Sequence, residues 1–129
     1  MHKIKQLSDK RIKPDLLDNF LNFINDELEL DTPYSVYFVE DKDNASEALG
    51  KTAMYNPSTK SVYVYVTNRH PKDILRSIAH ELVHHKQHCD GELENMSLED
   101  AEIDANAGGY LLRQFEDQLK GNKLQEATK

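Results

Sequence analysis

The first long apolar pattern in the chain has the period of an α-helix. Pro14 stands where a first helical turn accepts a proline. The apolar positions that follow are three or four residues apart: Leu17, Phe20, Leu21, Ile24 and Leu28. This pattern predicts a helix that begins at Pro14. The helix is expected to end at about Leu30, because Thr32-Pro33 breaks the pattern.

The middle of the chain alternates as β-strands do. Residues 35–40, SVYFVE, are rich in β-branched and aromatic side chains and predict a strand, which a polar loop over residues 41–47 follows. Two further strands, near residues 52–55 and at residues 61–66, flank the turn sequence NPSTK and predict a hairpin. In the last strand three valines alternate with tyrosines, so one face of the sheet is expected to be core.

Two helices are predicted after the strands. Pro71 opens the first, which ends near Asp90 because Gly91 offers a stop. Its apolar stripe consists of Ile74, Leu75, Ile78, Leu82 and Val83. Ser97, with Asp100 three residues later, predicts the start of a last helix that reaches about Lys120.

The order of these elements predicts the fold class. An N-terminal helix, a small three-stranded, mainly antiparallel sheet and two further helices make an α+β domain. We expect one domain over residues 1–120 and a flexible tail over residues 121–129.

Composition narrows the function classes. The net charge of −7 gives no overall attraction to nucleic acid or to an anionic membrane. A local basic arm at the amino terminus is interpreted as a solvated lead-in to the first helix: Lys3, Lys5, Lys10, Arg11 and Lys13. The sequence has no signal-peptide core or membrane span, and its single cysteine, Cys89, fits a reducing compartment. We therefore expect a cytoplasmic protein with no nucleic-acid or membrane partner.

A candidate metal site lies on the helix that begins at Pro71. The motif His80-Glu81-Leu82-Val83-His84 places two histidines four residues apart, so both project from one helix face and can offer imidazole nitrogens to one ion. Glu81 lies beside them, within reach of a water molecule on that ion. Six histidines and eleven glutamates in 129 residues give about 0.02 chance occurrences of this motif, so coincidence is a poor explanation.

A catalytic zinc site needs a third protein ligand. His84 lies about six residues before the end of its helix and Glu102 about five after the start of the next, so at ~1.5 Å per residue an antiparallel helix pair brings them level. Glu99 is the second candidate, and Asp104, which points to another helix face, is the third. Small residues would allow the two helices to approach closely: Ala101, Ala105, Gly108 and Gly109.

This combination resembles the gluzincin metallopeptidases. HELVH is followed, after a gap of 17 residues, by the segment from Glu102 to Asn106, EIDAN. Its ExxAN form is similar to that of the ImmA/IrrE-type peptidases, and HELVHHKQ is similar to the HExxH helices of SprT-like proteins and of minimal single-domain gluzincins, including small predicted metallopeptidases of tailed phages. The resemblance covers residues 73–113. It implies a zincin-like fold with one Zn²⁺ ion, with His80, His84 and Glu102 as ligands and Glu81 as general base.

The resemblance implies a zinc-dependent metallopeptidase acting on a peptide or protein substrate, which would lie extended along an exposed strand edge. Asn106 stands where many gluzincins have an aspartate that orients a ligand histidine, and an amide can still accept a hydrogen bond from an imidazole N–H. Candidate donors to the oxyanion are His88, Tyr110 and Arg113, each equally well explained as a solvated surface residue.

The motif also allows other interpretations. A non-catalytic zinc-bearing regulatory or protein-binding module on the same fold would bind metal without proteolysis. Additional ligands from His85, His88 and Cys89 would close the coordination sphere and make the site structural. A di-iron helix bundle would need a second ExxH motif, which the sequence lacks. Residues 90–112 carry seven acidic side chains and no lysine or arginine, which could favour basic substrates but is also typical of a solvated surface.

Overall fold

The computed structural model describes residues 2–6, 12, 14–46, 52–91, 97, 105 and 108–127. Within these ranges the elements follow in the order β1 (His2–Gln6), α1 (Pro14–Glu27), β2 (Tyr34–Val39), α2 (Lys42–Ser46), β3 (Ala53–Asn56), β4 (Ser61–Tyr65), α3 (Pro71–Cys89) and α4 (Gly108–Ala127). The predicted α+β class is confirmed. Among the helices described here, none has both the length and the apolar character needed to cross a membrane.

The sheet has four strands in the order β1-β2-β4-β3. Strands β1 and β2 are parallel, β2 and β4 are parallel, and β3 pairs antiparallel with β4. The expectation of a three-stranded, mainly antiparallel sheet is therefore wrong, although the β3–β4 hairpin is confirmed. The reason is that β4 lies between β2 and β3. The chain passes from β2 to β3 at the edge of the sheet and then turns back into β4, which therefore runs parallel to β2.

The first strand comes from the basic arm that the sequence assigns to a solvated lead-in. His2–Gln6 pair in register with residues 34–38 of β2. The segment HKIKQ has one strongly apolar residue, Ile4, so its apolar pattern gives little sign of a strand, yet lysines are common on edge strands because they discourage pairing with other chains. Helix α1 supplies the crossover that a parallel pair requires. The predicted first helix is present, but strand β1 precedes it, so the prediction that the fold begins with a helix is wrong.

A single hydrophobic core joins the sheet to α1, α3 and α4. Apolar positions of the strands alternate between buried and half-buried, as a sheet with one covered face requires. The ring of Phe115 from α4 lies edge-on to Phe20 of α1, with centroids 5.1 Å apart, and 5.6 Å from the ring of Phe23. The fully buried side chains of the helices and strands include Leu17, Leu21, Ile24, Val36, Val62, Val64, Ile74, Ile78 and Leu82.

Helix bounds differ from the predictions mainly at two places. The stretch expected as a polar loop contains the short helix α2, whose first turn is capped by the Asp41 carboxylate accepting a hydrogen bond from the Asn44 backbone N–H at 3.0 Å. Helix α4 continues to Ala127, past the predicted end at Lys120, with Gly121 inside it.

Helix α3 matches its prediction closely. His70 caps its first turn by accepting a hydrogen bond from the Lys72 backbone N–H at 3.0 Å, and Pro71 follows at the first helical position. The whole apolar stripe is buried, which confirms it as the core face. The helix ends where Gly91 adopts a φ of 73°, a left-handed conformation that lets its N–H bond to the His88 carbonyl.

We expect Gly91→Ala to lower the free energy of unfolding by about 1 kcal/mol, because a side chain disfavours the left-handed conformation. The added methyl group would meet no atom within 4 Å, so the cost is conformational. Gly109→Ala is the matched control, since that glycine lies in α4 with equally open space around it and a helical alanine is favourable. Urea unfolding of both variants should show opposite signs; equal effects would contradict the assignment.

Candidate metal centre

Helix α3 presents His80 and His84 side by side. Both side chains are half-buried, and their ring centroids are 5.1 Å apart with the ring planes at 77°. Two imidazole rings bound to one Zn²⁺ ion through tetrahedral Zn–N bonds of ~2.1 Å have centroids roughly 5 Å apart. The two predicted histidine ligands therefore have a ring separation that fits a shared zinc ion.

A buried glutamine orients the second of these histidines. The Nδ1 atom of His84 lies 2.9 Å from Oε1 of Gln87, one helical turn later, and Gln87 is only 1 % exposed. Because an amide oxygen can only accept, this hydrogen bond places the His84 proton on Nδ1 and the lone pair of the ring on Nε2. This is the arrangement that metal-ligating histidines require. Gln87 is not among the residues predicted from the sequence; its position three residues after a candidate ligand is the one signal in the sequence that points to it.

Glu81, the predicted general base, lies on the border of the buried face of α3. Its side chain is buried, with 9 % exposure, and it lines a cavity of about 380 Å³ together with His80. The other walls of this cavity come from the start of strand β3 and from the preceding turn of α3: Thr52, Ala53, Arg76 and Ser77. We refer to this cavity as the Glu81 pocket. It is large enough to receive a substrate side chain beside a carboxylate.

His85, next to the motif, has a different role. Its Nε2–H donates to the Thr32 carbonyl at 3.0 Å, so Nδ1 accepts from the Tyr55 hydroxyl at 2.7 Å. Burial lowers the pKa of His85 and raises the pKa of Tyr55, so both stay neutral in these hydrogen bonds. Both ring nitrogens of His85 are hydrogen-bonded and its side chain is fully buried. His85 therefore connects α3 to β3 and to the segment before β2.

The remaining soft ligands considered from the sequence do not gather at His80 and His84. Cys89 Sγ lies 3.7 Å from Nε2 of His85, and the His88 ring lies 6.3 Å from the ring of Tyr55. Across the described ranges, no group of three or more histidine, cysteine, aspartate and glutamate side chains could hold a metal ion. Glu102, Glu99, Asp104 and Asn106 lie outside those ranges, so the choice of third ligand and the role of Asn106 stay predictions.

The candidate oxyanion donors are placed apart from the Glu81 pocket. Arg113 lines a neighbouring cavity with Arg76, and Tyr110 is 63 % exposed on α4. His88 is half-buried one turn beyond His84. None of the three lines the pocket that holds Glu81 and His80.

Arg69 joins the edge of the sheet to the first turns of α3. Its Nη1 donates to the carbonyls of Thr52 and Tyr65 at 3.0 and 2.9 Å. Its Nη2 donates to the Asp73 carbonyl at 3.1 Å and to the Ser77 hydroxyl at 2.7 Å. Burial lowers the pKa of Arg69, although a guanidinium stays charged. Since Thr52 and Ser77 also line the Glu81 pocket, Arg69 fixes the distance between two of its walls.

Comparison of the chain with protein-family models, with curated protein sequences and with solved structures finds no match.

We expect Gln87→Met, which keeps the buried volume but removes the acceptor, to weaken zinc binding about 10- to 100-fold. Gln87→Glu keeps an oxygen acceptor for His84 Nδ1 and should bind zinc at least as well as the parent. Competition with a coloured zinc chelator measures both affinities. Equal affinities in the two variants, with unchanged melting temperatures, would show that Gln87 does not orient a ligand.

We expect Arg69→Met to lower the free energy of unfolding by about 2 kcal/mol, because four acceptors lose a charged donor. Arg76→Met is the control, since Arg76 makes a half-exposed ion pair with Asp73 and should cost less than about 1 kcal/mol. Chemical unfolding of both variants tests this difference. A similar loss in both would mean that Arg69 contributes no more than a surface charge.

Proposed function

We propose that the protein is a zinc-dependent metallopeptidase of gluzincin type, with His80, His84 and Glu102 as metal ligands and Glu81 as general base. The observation that supports this most directly is the arrangement of His80 and His84, whose rings are 5.1 Å apart on one helix face, beside the buried Glu81. The hydrogen bond from His84 to Gln87 adds to it, because it sets the tautomer in which Nε2 carries the lone pair that a metal ligand uses. A zincin-like arrangement of the fold is part of this proposal.

The chain's own residues would divide the work of peptide hydrolysis. When bound, zinc would supply a Lewis acid that polarises a carbonyl group and lowers the pKa of water to about 7. Glu81 would take the proton lost by the water molecule as it adds to the peptide carbonyl carbon. The C–N bond then breaks, and Glu81 returns that proton to the departing amine nitrogen. Burial of Glu81 limits competing hydrogen bonds from bulk water.

The edge of the sheet supplies a surface for the substrate. Strand β3 ends the sheet, and among the described strands it pairs with β4 alone. Its first residue, Ala53, and the preceding Thr52 line the Glu81 pocket. A peptide added to the outer side of β3 would therefore run past Glu81 and His80, with backbone hydrogen bonds giving affinity and the pocket receiving a side chain.

Metal content by mass spectrometry is the first test of this proposal. The parent protein and Glu81→Gln should each carry about one zinc ion, because the general base is not a ligand. His84→Ala and Glu102→Ala should both lose most of it, whereas His88→Ala, one turn beyond His84, should retain it. Retention of zinc in Glu102→Ala would move the third ligand to Glu99 or Asp104, and absence of zinc from the parent would refute the metal site.

Cleavage of a randomised peptide library separates the peptidase from a non-catalytic zinc module. The zinc-loaded parent should cleave, and Glu81→Gln should be slower by a factor of about 10²–10⁴ while keeping its metal. A parent that binds zinc but leaves the whole library intact would favour the non-catalytic module. Equal cleavage by Glu81→Gln would remove Glu81 from the role of general base.

A further inference from the structure

One wall of the Glu81 pocket carries a positive charge that the proposed chemistry does not use. Arg76 lies four residues before His80, on the same face of α3, and lines the pocket together with Glu81 and His80. Among the six residues that line this pocket, Arg76 is the one arginine or lysine and Glu81 the one carboxylate. The pocket therefore has a positively charged end at Arg76 and a carboxylate, that of the proposed general base Glu81, at the other.

The charge of Arg76 is accessible to a ligand. Its Nη1 donates to Asp73 Oδ1 at 2.9 Å, but both side chains of this pair are about half exposed, at 51 % and 52 %. Ion pairs three residues apart on an exposed helix face contribute little, because water competes with them. A substrate carboxylate in the pocket can therefore share or take over the guanidinium, and the planar group can bind a carboxylate through two nitrogens.

A second guanidinium reinforces this end of the pocket. Arg69 lies behind the wall and donates hydrogen bonds to the Thr52 carbonyl and the Ser77 hydroxyl, and both of these residues line the cavity. It places a further positive charge on the same side while holding the wall rigid. The Asp73 carboxylate pairs with Arg76, and the Asp73 backbone carbonyl accepts from Arg69, so this end of the pocket holds two guanidinium groups and one carboxylate.

We infer that Arg76 is a specificity residue that selects substrates carrying a carboxylate close to the cleaved bond. This inference rests on the proposed peptidase function and deepens it. The carboxylate can belong to an aspartate or glutamate side chain or to a free carboxyl terminus, since both present the same two oxygens to the guanidinium. A preference for acidic substrates is the opposite of the preference for basic substrates that the acidic residues in 90–112 and the net charge of −7 would favour.

The decisive experiment compares matched peptides. Library cleavage first identifies the position near the scissile bond at which acidic residues are enriched; peptides that differ only by Glu or Gln there are then assayed for kcat/KM. The parent should prefer Glu, and Arg76→Gln should reduce the Glu-to-Gln ratio about tenfold, the size expected for loss of a charged hydrogen bond. Arg76→Glu should reverse the preference toward Lys. Peptides with free and amidated carboxyl termini distinguish a side-chain carboxylate from a terminal one.

Arg113→Gln is the matched control, because that exposed arginine lines the adjacent cavity and not the Glu81 pocket. It should leave the Glu-to-Gln ratio unchanged, and zinc content and melting temperature should be the same in both arginine variants. A parent that shows no preference, or that prefers lysine or arginine at that position, would overturn the inference. An unchanged ratio in Arg76→Gln would overturn it as well.

A binding measurement separates this inference from the proposed function. Fluorescently labelled peptide pools with Glu or Gln fixed at one position are titrated into Glu81→Gln protein, in the presence and absence of the Arg76→Gln change, and followed by anisotropy. Tighter binding of the Glu pool that depends on Arg76, without any cleavage by the parent, would support the pocket and refute the peptidase. Cleavage without Arg76-dependent selection would refute the pocket alone, and absence of both would refute both.

Discussion

One helix has to be part of the core and part of the site at the same time, and the rest of the structure follows from this constraint. Helix α3 buries an apolar stripe against the sheet and α4, which fixes its rotation about its own axis. Once that rotation is fixed, the direction of each remaining side chain is fixed too. His80 and His84 emerge beside the buried stripe, and Glu81 lies at its border with 9 % exposure. The hydrophobic effect thus orients polar side chains that gain nothing from it directly.

Burial fixes the rotation of α3 but not its position along the sheet, and polar contacts supply this second constraint. His85 connects the last turns of the helix to Tyr55 and to the Thr32 carbonyl, while Arg69 connects its start to the residue before β3 and to the end of β4. These contacts are directional, so a shift of the helix by one turn would break all of them together. Two widely separated attachments therefore hold the edge strand and the helix at a set distance, and the cavity between them keeps its shape.

The sequence predicts most of this helix and little of its surroundings. Periodicity identifies the stripe of α3, and the spacing of His80 and His84 places them on one face, because both depend on the geometry of a single helix. Strand β1 is not predicted from the sequence because HKIKQ has a single strongly apolar position. What makes it a strand is its pairing with β2, which is a tertiary contact. The parallel order of the sheet was missed because alternation shows that a segment is a strand without showing which partner it chooses. Arg69, Gln87 and Tyr55 were missed as positioning groups for the same reason, since their partners are set by tertiary packing.

The position of the strands along the chain has a consequence for the way the protein is made. The four strands of the described part of the chain precede α3, so a ribosome releases them before the helix that carries the histidines. The β3–β4 hairpin, which forms one side of the Glu81 pocket, is also the most local pairing and closes the shortest loop. When His80, Glu81 and His84 leave the exit tunnel, the surface they must face can already exist. The side of the Glu81 pocket that comes from the edge of the sheet is therefore synthesised before the side that comes from α3.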